Sequence, residues 1–245
     1  MSADRAVLTP ERRIDLGDTV LDWHRLEPQF RDLNQQHEAA VLGMWAFLAT
    51  EVMFFGALFL GVGAYHVLYP EACEKASAKL NWMVGGINTV VLLVSSLFMA
   101  LAVHHAKHGN RRPLMWYLGL TAALGGVFLC LKGFEYYTDF RDNLVPGVRF
   151  DDHEWREQGV DPGRVKLFLL FYWIMTALHG LHVTIGACAV LVMLELARRN
   201  TFTPPYYAPV DVTGLYWHFV DLVWIFLLPM LYLLGTHNWA DFHIL

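Results

Sequence analysis

Charge is what this sequence has least of. Only 17% of its 245 residues are Asp, Glu, Lys or Arg and 56% are apolar, with a mean hydropathy of +0.35, whereas globular chains carry about 25% charged residues. That balance excludes an ordinary soluble domain. Cysteine is scarce too: Cys73, Cys130 and Cys188 show no CxxC or CxxH spacing, which excludes a disulfide framework, a zinc ribbon and a c-type heme site and leaves them as packing residues. No Glu-x-x-His occurs, so the ligand pattern of di-iron helix bundles is missing. The first 40 residues mix Arg5, Arg12, Arg13, Arg25 and Arg31 with eight acids and lack an apolar core before a small-residue cleavage site. No signal peptide is expected. No internal repeat is visible, and no nucleic-acid partner is expected.

What is there is apolar sequence in long runs. Val41 to Leu68 holds one residue of the Asp, Glu, Lys and Arg set, Glu51, and Leu167 to Leu194 holds none; each exceeds the roughly 20 residues needed to cross a hydrocarbon core. Charge gaps and turn residues together predict an all-α polytopic membrane bundle of five transmembrane helices, at 41–67, 84–106, 114–136, 167–194 and 213–235. A polar tail (1–40) precedes the bundle (41–235), a long acidic loop (138–166) joins helices three and four, and a short tail (236–245) follows. Counting Lys and Arg alone, ten lie on the N-terminal side of the membrane and seven on the other. The positive-inside rule then predicts a cytoplasmic N-terminus, an outer C-terminus and an outer 138–166 loop. Tyr65, Tyr69, Trp82, Trp116, Tyr136, Tyr137, Tyr206, Tyr207 and Trp239 fall near helix ends, as interfacial aromatics do. Trp45, Trp173 and Trp224 do not, and are expected to pack between helices.

Ionisable residues inside a bilayer cost at least about 2.5–3.5 kcal/mol, so each is a functional candidate. Glu51 lies about 15 Å deep and has to be neutral or tightly partnered. A proton-holding or lipid-orienting role and a plain hydrogen bond to a neighbouring helix are both open. His179 and His182 share a helix face; that spacing could ligate a metal or hemes, but interhelical hydrogen bonding, helped by Gly180 and Gly186, is favoured. His218 and Asp221 have the same spacing and could share a proton, either to fix helix orientation or to carry protons. Lys132 and Glu135 form another such pair near a helix end, where long stems are expected to snorkel to the headgroups. His104, His105 and His108 cluster with Lys107 and Arg111, where cations suit anionic lipid phosphates. No metal site and no catalytic residue are predicted.

Five segments, one per predicted helix and in order, carry a resemblance. They are Gly43-Met-Trp-Ala-Phe-Leu-Ala-Thr-Glu51-Val-Met-Phe-Phe-Gly56; Ile87-Asn88-Thr89 with Ser95-Ser96 and His104-His105; Glu135-Tyr136-Tyr137; Thr176-Ala-Leu-His179-Gly180-Leu181-His182-Val183; and Tyr216-Trp217-His218-Phe219-Val220-Asp221-Leu-Val-Trp224. The chain thereby resembles subunit III of heme-copper oxidases, the cytochrome c oxidase subunit III family, in its five-helix bacterial form; the two N-terminal helices of seven-helix members have no counterpart in the polar 1–40 segment. The resemblance implies a bundle packed on subunit I, which holds hemes and copper, with subunit II, a small subunit IV and a larger respiratory supercomplex as further partners. It also implies no cofactor in this chain, phospholipid held in a cleft, and support of proton uptake over many turnovers.

By the same resemblance Glu51 matches the family's buried carboxylate. His179, His182, His218, Asp221 and Glu135 match its interhelical polar set, Asp211 its acidic residue before Tyr-Trp-His, and Arg198 or Arg199, with His104 and His105, its lipid-headgroup positions. The competing readings are subunit III of a quinol oxidase or nitric oxide reductase and, from another class, a small transporter or channel. The last is disfavoured by the absence of inverted repeats and of a helix broken at the midplane.

Overall fold

A computed structural model describes residues 26–147, 149–150 and 152–233. The expected 236–245 tail, Trp239 and the first 25 residues of the N-terminal tail lie outside the described residues. Along the rest run α1 (Leu33–Leu68), α2 (Pro70–Lys79), α3 (Trp82–Lys107), α4 (Arg111–Arg141), β1 (Leu144–Val145), β2 (Arg149–Phe150), α5 (Asp152–Glu157), α6 (Pro162–Arg198) and α7 (Ala208–Tyr232). Five of these, α1, α3, α4, α6 and α7, are long and apolar enough to span a bilayer, as expected of an all-α polytopic bundle.

Helix ends follow caps rather than hydropathy. Asp32 accepts the Gln35 N–H at 2.7 Å and starts α1 at Leu33, eight residues before the apolar run, so the polar segment 33–40 is helical. Asn81 caps α3 by accepting the Val84 N–H, and Asp161 caps α6 by accepting the Gly163 N–H, with Pro162 just inside. At 36 and 37 residues, α1 and α6 reach about 55 Å, well beyond a hydrocarbon core of about 30 Å. Their ends project into water.

The expected 138–166 loop is largely structured, and α2 was not foreseen. α4 continues to Arg141, β1 pairs antiparallel with β2 (Leu144 opposite Phe150), and α5 follows. These pieces fold onto α2. Trp155 of α5 is buried, stacked on Phe150 and covered by the Lys79 ammonium; Lys79 also pairs with Glu154, and Lys75 donates to the Gln158 carbonyl at 2.6 Å. Cys73 of α2 is buried, and burial, with Glu74 adding, pushes its thiol up to about 12. Cys130 and Cys188 are exposed on the outside of the helices, so only Cys73 is the packing residue expected of all three.

α7 is the axis of the bundle: 56% of its apolar window is buried, against 17–28% in the other four spans, and it packs on α1, α3 and α6. Three polar links tie it to the antiparallel α3. Trp224 Nε1 donates to Thr89 Oγ1 at 3.0 Å, Trp217 Nε1 donates to Ser95 Oγ at 3.2 Å, and Ser96 Oγ meets His218 Nδ1 at 2.7 Å. The ring of Trp217 lies against Gly186 and Gly125, where a Cβ would sit 3.0 and 2.7 Å from it. Gly186 thus allows the close approach expected of it. Gly180 has nothing within 4 Å and does not. Trp224 is fully buried and Trp173 half-buried, but Trp45 is 57% exposed and faces out of the bundle rather than between helices.

Lys132 and Glu135 do not snorkel. Lys132 is 4% exposed and points inward, where it donates to Glu135 Oε1 at 3.1 Å and to the hydroxyls of Tyr172 and Tyr232. The rings of Tyr136, Tyr172, Trp224 and Tyr232 surround it with centroids 5.1–5.3 Å away. A counter-ion, hydroxyls and aromatic faces together replace the water that a headgroup position would have supplied. Tyr172 Oη also lies 2.9 Å from Glu135 Oε1 and 2.8 Å from Asp139 Oδ2; with one proton, it can donate to one of them at a time. Lys132→Ala, which strands Glu135, is expected to lower stability by about 3–5 kcal/mol, whereas Lys132→Met combined with Glu135→Gln should recover most of that loss. Unfolding in mixed micelles followed by circular dichroism checks this, and a double variant as unstable as the single one would count against it.

Candidate functional site

Glu51 is placed by the middle of α1, and His182 by α6, two helices that otherwise touch little. Their side chains meet: His182 Nε2 lies 3.2 Å from Glu51 Oε2, with side-chain exposures of 15% and 18%. Helical geometry fixes the imidazole, because His182 Nδ1 sits 2.7 Å from the Leu178 carbonyl one turn back. A carbonyl only accepts, so Nδ1 carries a hydrogen and donates it. The Nε2–Oε2 hydrogen bond then holds a single proton, either as carboxylic acid with neutral imidazole or as carboxylate with imidazolium. Both forms are neutral as a pair, which is what the depth of the site demands. Phe55 and Phe219 wall this side, and Tyr216 donates its hydroxyl to the His182 carbonyl at 3.2 Å. The result is one carboxyl and one imidazole, joined by one hydrogen bond, at the edge of the bundle rather than in its core.

The remaining candidates separate. His179, three residues from His182, is buried between Phe128 and Trp224, and neither ring nitrogen makes a hydrogen bond; only His182 supplies the expected interhelical bond. His218 bonds Ser96, not Asp221. Asp221 is buried with neither oxygen hydrogen-bonded, although Ser96 lies close to it. The i, i+3 spacing placed His218 and Asp221 on one face but could not reveal that α3 offers His218 a hydroxyl. Glu135 belongs to the Lys132 cluster. Among the described residues no group of three His, Cys, Asp or Glu could hold a metal ion.

At the membrane end where α3 stops and α4 begins, His105 stacks on Tyr117 (5.4 Å, 8°) and His104 packs against His108 (4.4 Å). Asp211 joins three elements there, pairing with His37 of α1 at 3.3 Å and approaching Lys107 of α3 at 3.8 Å. Arg199 pairs with Glu195 of its own helix, while the Arg198 side chain lines a surface groove with Arg112. Sequence reasoning missed the hydroxyls of Thr89, Ser95 and Ser96 as receivers for α7, and Tyr172, Tyr232 and Asp139 as the surroundings of Lys132. The signal available for the first group was two turns of helix on each side: Thr89 and Ser95, six apart on α3, face Trp224 and Trp217, seven apart on α7.

A family profile described as "Cytochrome c oxidase subunit III" matches residues 166–236. Similar proteins include "Cytochrome c oxidase subunit 3" of Thermostichus vulcanus, 32% identical over 79% of this chain and 87% of its own length. The protein of the same name from Alkalihalophilus pseudofirmus is 31% identical over 80% and 86%. "Quinol oxidase subunit 3" of Bacillus spizizenii is 28% identical over 80% and 87%.

The single-proton geometry separates two variants of residue 51. Glu51→Gln can still donate an amide N–H to His182 Nε2, so its loss of unfolding free energy in mixed micelles should stay below about 1 kcal/mol. Glu51→Ala leaves that nitrogen unpaired and should lose about 1–3 kcal/mol. Equal losses in the two variants would show that the negative charge of residue 51, which an amide lacks, is what holds His182.

Proposed function

This chain belongs to the cytochrome c oxidase subunit III family, and we propose that within a heme-copper oxidase it is a non-redox subunit that seats on subunit I and steadies proton uptake. The oxygen chemistry, the hemes and the copper then reside in the partner subunits, with subunit II and a small subunit IV as further neighbours, phospholipid as ligand and a respiratory supercomplex as the wider assembly. The observation that carries this reading is the Glu51–His182 pair. It holds one proton inside a bilayer-spanning region, it is 15–18% exposed rather than sealed, and it can exchange its proton internally without creating net charge. The surface of α1 beside it is apolar and open, with Leu42, Met53 and Leu60 each more than 60% exposed, as a face covered by lipid or another membrane subunit would be. The Lys and Arg count supports an N-terminus on the cytoplasmic side of a bacterial inner membrane and a C-terminus outside.

A quinol-oxidizing complex is the second reading, favoured by the similarity to a quinol oxidase subunit 3. The electron donor is chosen by other subunits, so a co-purifying subunit II with copper-thiolate ligands would decide for cytochrome c.

Purification of the tagged chain in mild detergent should bring down a heme-containing subunit, while the chain stripped of partners should show no heme absorption and no stoichiometric copper or iron. One transition metal per chain, lost on His179→Ala, would overturn the non-redox assignment. In the intact complex, Glu51→Ala should leave assembly and initial turnover near wild type and shorten the working life of the enzyme. Continuous oxygen consumption measured to inactivation checks this; an unchanged lifetime would remove Glu51 from proton supply.

A further inference from the structure

The enclosed Lys132 cluster contains one more acid than it has cations. Lys132, Glu135 and Asp139 stand on successive turns of α4, are 4%, 3% and 5% exposed, and all three reach the hydroxyl of Tyr172 on α6. The other groups around them do not restore the balance. Tyr232 of α7 donates to Glu135 and Tyr136 of α4 donates to Thr176. His179 of α6 lies on the Lys132 side and the exposed Asp142 beyond Asp139, while β1 brings only Leu144 and Val145. With every member ionised the cluster would bury a net negative charge, and two buried carboxyls that share a site do not both ionise.

The hydrogen bonds locate the missing hydrogen. Tyr172 Oη lies 2.9 Å from Glu135 Oε1 and 2.8 Å from Asp139 Oδ2. A phenol has one hydrogen to donate and a carboxylate only accepts, so both contacts are bonds only when one of the two carboxyls donates in turn. Glu135 Oε1 also accepts from Lys132 Nζ at 3.1 Å and from the Tyr232 hydroxyl, which marks it as the ionised member. Among the described residues Asp139 bonds Tyr172 alone.

We propose that Asp139 is a proton-binding site built into this cluster: its carboxyl carries a hydrogen donated to Tyr172 Oη, Tyr172 donates to Glu135, and Glu135 pairs with Lys132. The bound proton lets α4, α6 and α7 close around Lys132 without net charge. Asp139 is one turn from the exposed Arg141, Asp142 and Asn143, so the proton comes from water at the end of the bundle that carries α2 and α5, and the packing of three spans answers to the pH of that side. The site is separate from the Glu51–His182 pair and uses no oxidase partner, so it goes beyond the proposed function and does not depend on it.

Infrared absorption of protonated-carboxyl carbonyls tests this on the full chain in nanodiscs in mildly acidic buffer, each variant being read as its difference from wild type so that Glu51 cancels. Asp139→Asn should lose one such band. Glu135→Gln should lose one as well, because Asp139 then ionises to balance Lys132, whereas Lys132→Met should gain one, because Glu135 then has to take up a proton. The exposed control Asp142→Asn should change nothing. A spectrum unaltered by Asp139→Asn, or no gain in a folded Lys132→Met, would overturn the proposal. Stability gives a second readout that needs only the Asp139→Asn variant. A folded state that keeps a proton bound is weakened as pH rises, so the unfolding midpoint of wild type should fall below that of Asp139→Asn toward alkaline pH. A parallel decline of the two midpoints would show that Asp139 holds no proton in the folded chain and would equally overturn the site.

Discussion

No water reaches the middle of a bilayer, so a polar side chain on a central helix has to be answered by a neighbouring helix. α7 feels this constraint most, because it is the most enclosed span and carries Trp217, His218, Asp221 and Trp224. Its two indoles and its imidazole are met by hydroxyls from α3, and the matched positions, 89 with 224 and 95 with 217, set the antiparallel register of the two helices. With that register in place, Trp217 lies in the space left by Gly125 and Gly186, which brings α4 and α6 in against the same axis. Asp221 alone on this helix face is left without a hydrogen bond.

Two other polar groups meet the same constraint in opposite ways. Lys132 is enclosed by aromatic rings and bound to Glu135 and two tyrosines, an arrangement with many members that ties α4, α6 and α7 together and gives its charges little freedom. Glu51 and His182 form a pair of two, partly exposed, in which the proton is the only thing that has to move. The first arrangement is suited to holding helices in place. The second is suited to exchanging a proton, and it sits beside the open apolar face of α1, where a membrane partner or lipid would shield it from the other side.

The water-exposed ends show how the same chain uses charge where it is cheap. On one side Phe150 of the short hairpin stacks on Trp155 of α5, and α5 is tied to α2 through exposed lysine contacts, which individually contribute little. On the other side Asp211 gathers His37 and Lys107 from α1 and α3, and the arginines divide between capping a helix and lining a surface groove. Polar residues in the spans are therefore few and mostly paired, with Asn88, His179 and Asp221 left without hydrogen bonds, while those at the ends organise surfaces.

Hydropathy and charge gaps in the sequence determined the five spans, because an apolar stretch of some 20 residues has only one stable way to lie in a bilayer. The spacing of Glu51, His179, His182, His218 and Asp221 also determined which helix carries each polar group and, through the five ordered segments, the family. The partners were decided by tertiary structure. Residues three apart share a helix face, yet His182 meets α1 while His179 is enclosed by aromatic rings, and His218 takes Ser96 rather than Asp221, because a bond depends on what the facing helix presents. Lys132 and Glu135 looked able to reach the headgroups, and only the arrangement of Tyr172, Tyr232 and Trp224 around them made an inward path the better solvated one. The helix ends were missed for a related reason: caps such as Asp32 and Asp161 act through local backbone hydrogen bonds, and hydropathy carries no record of them.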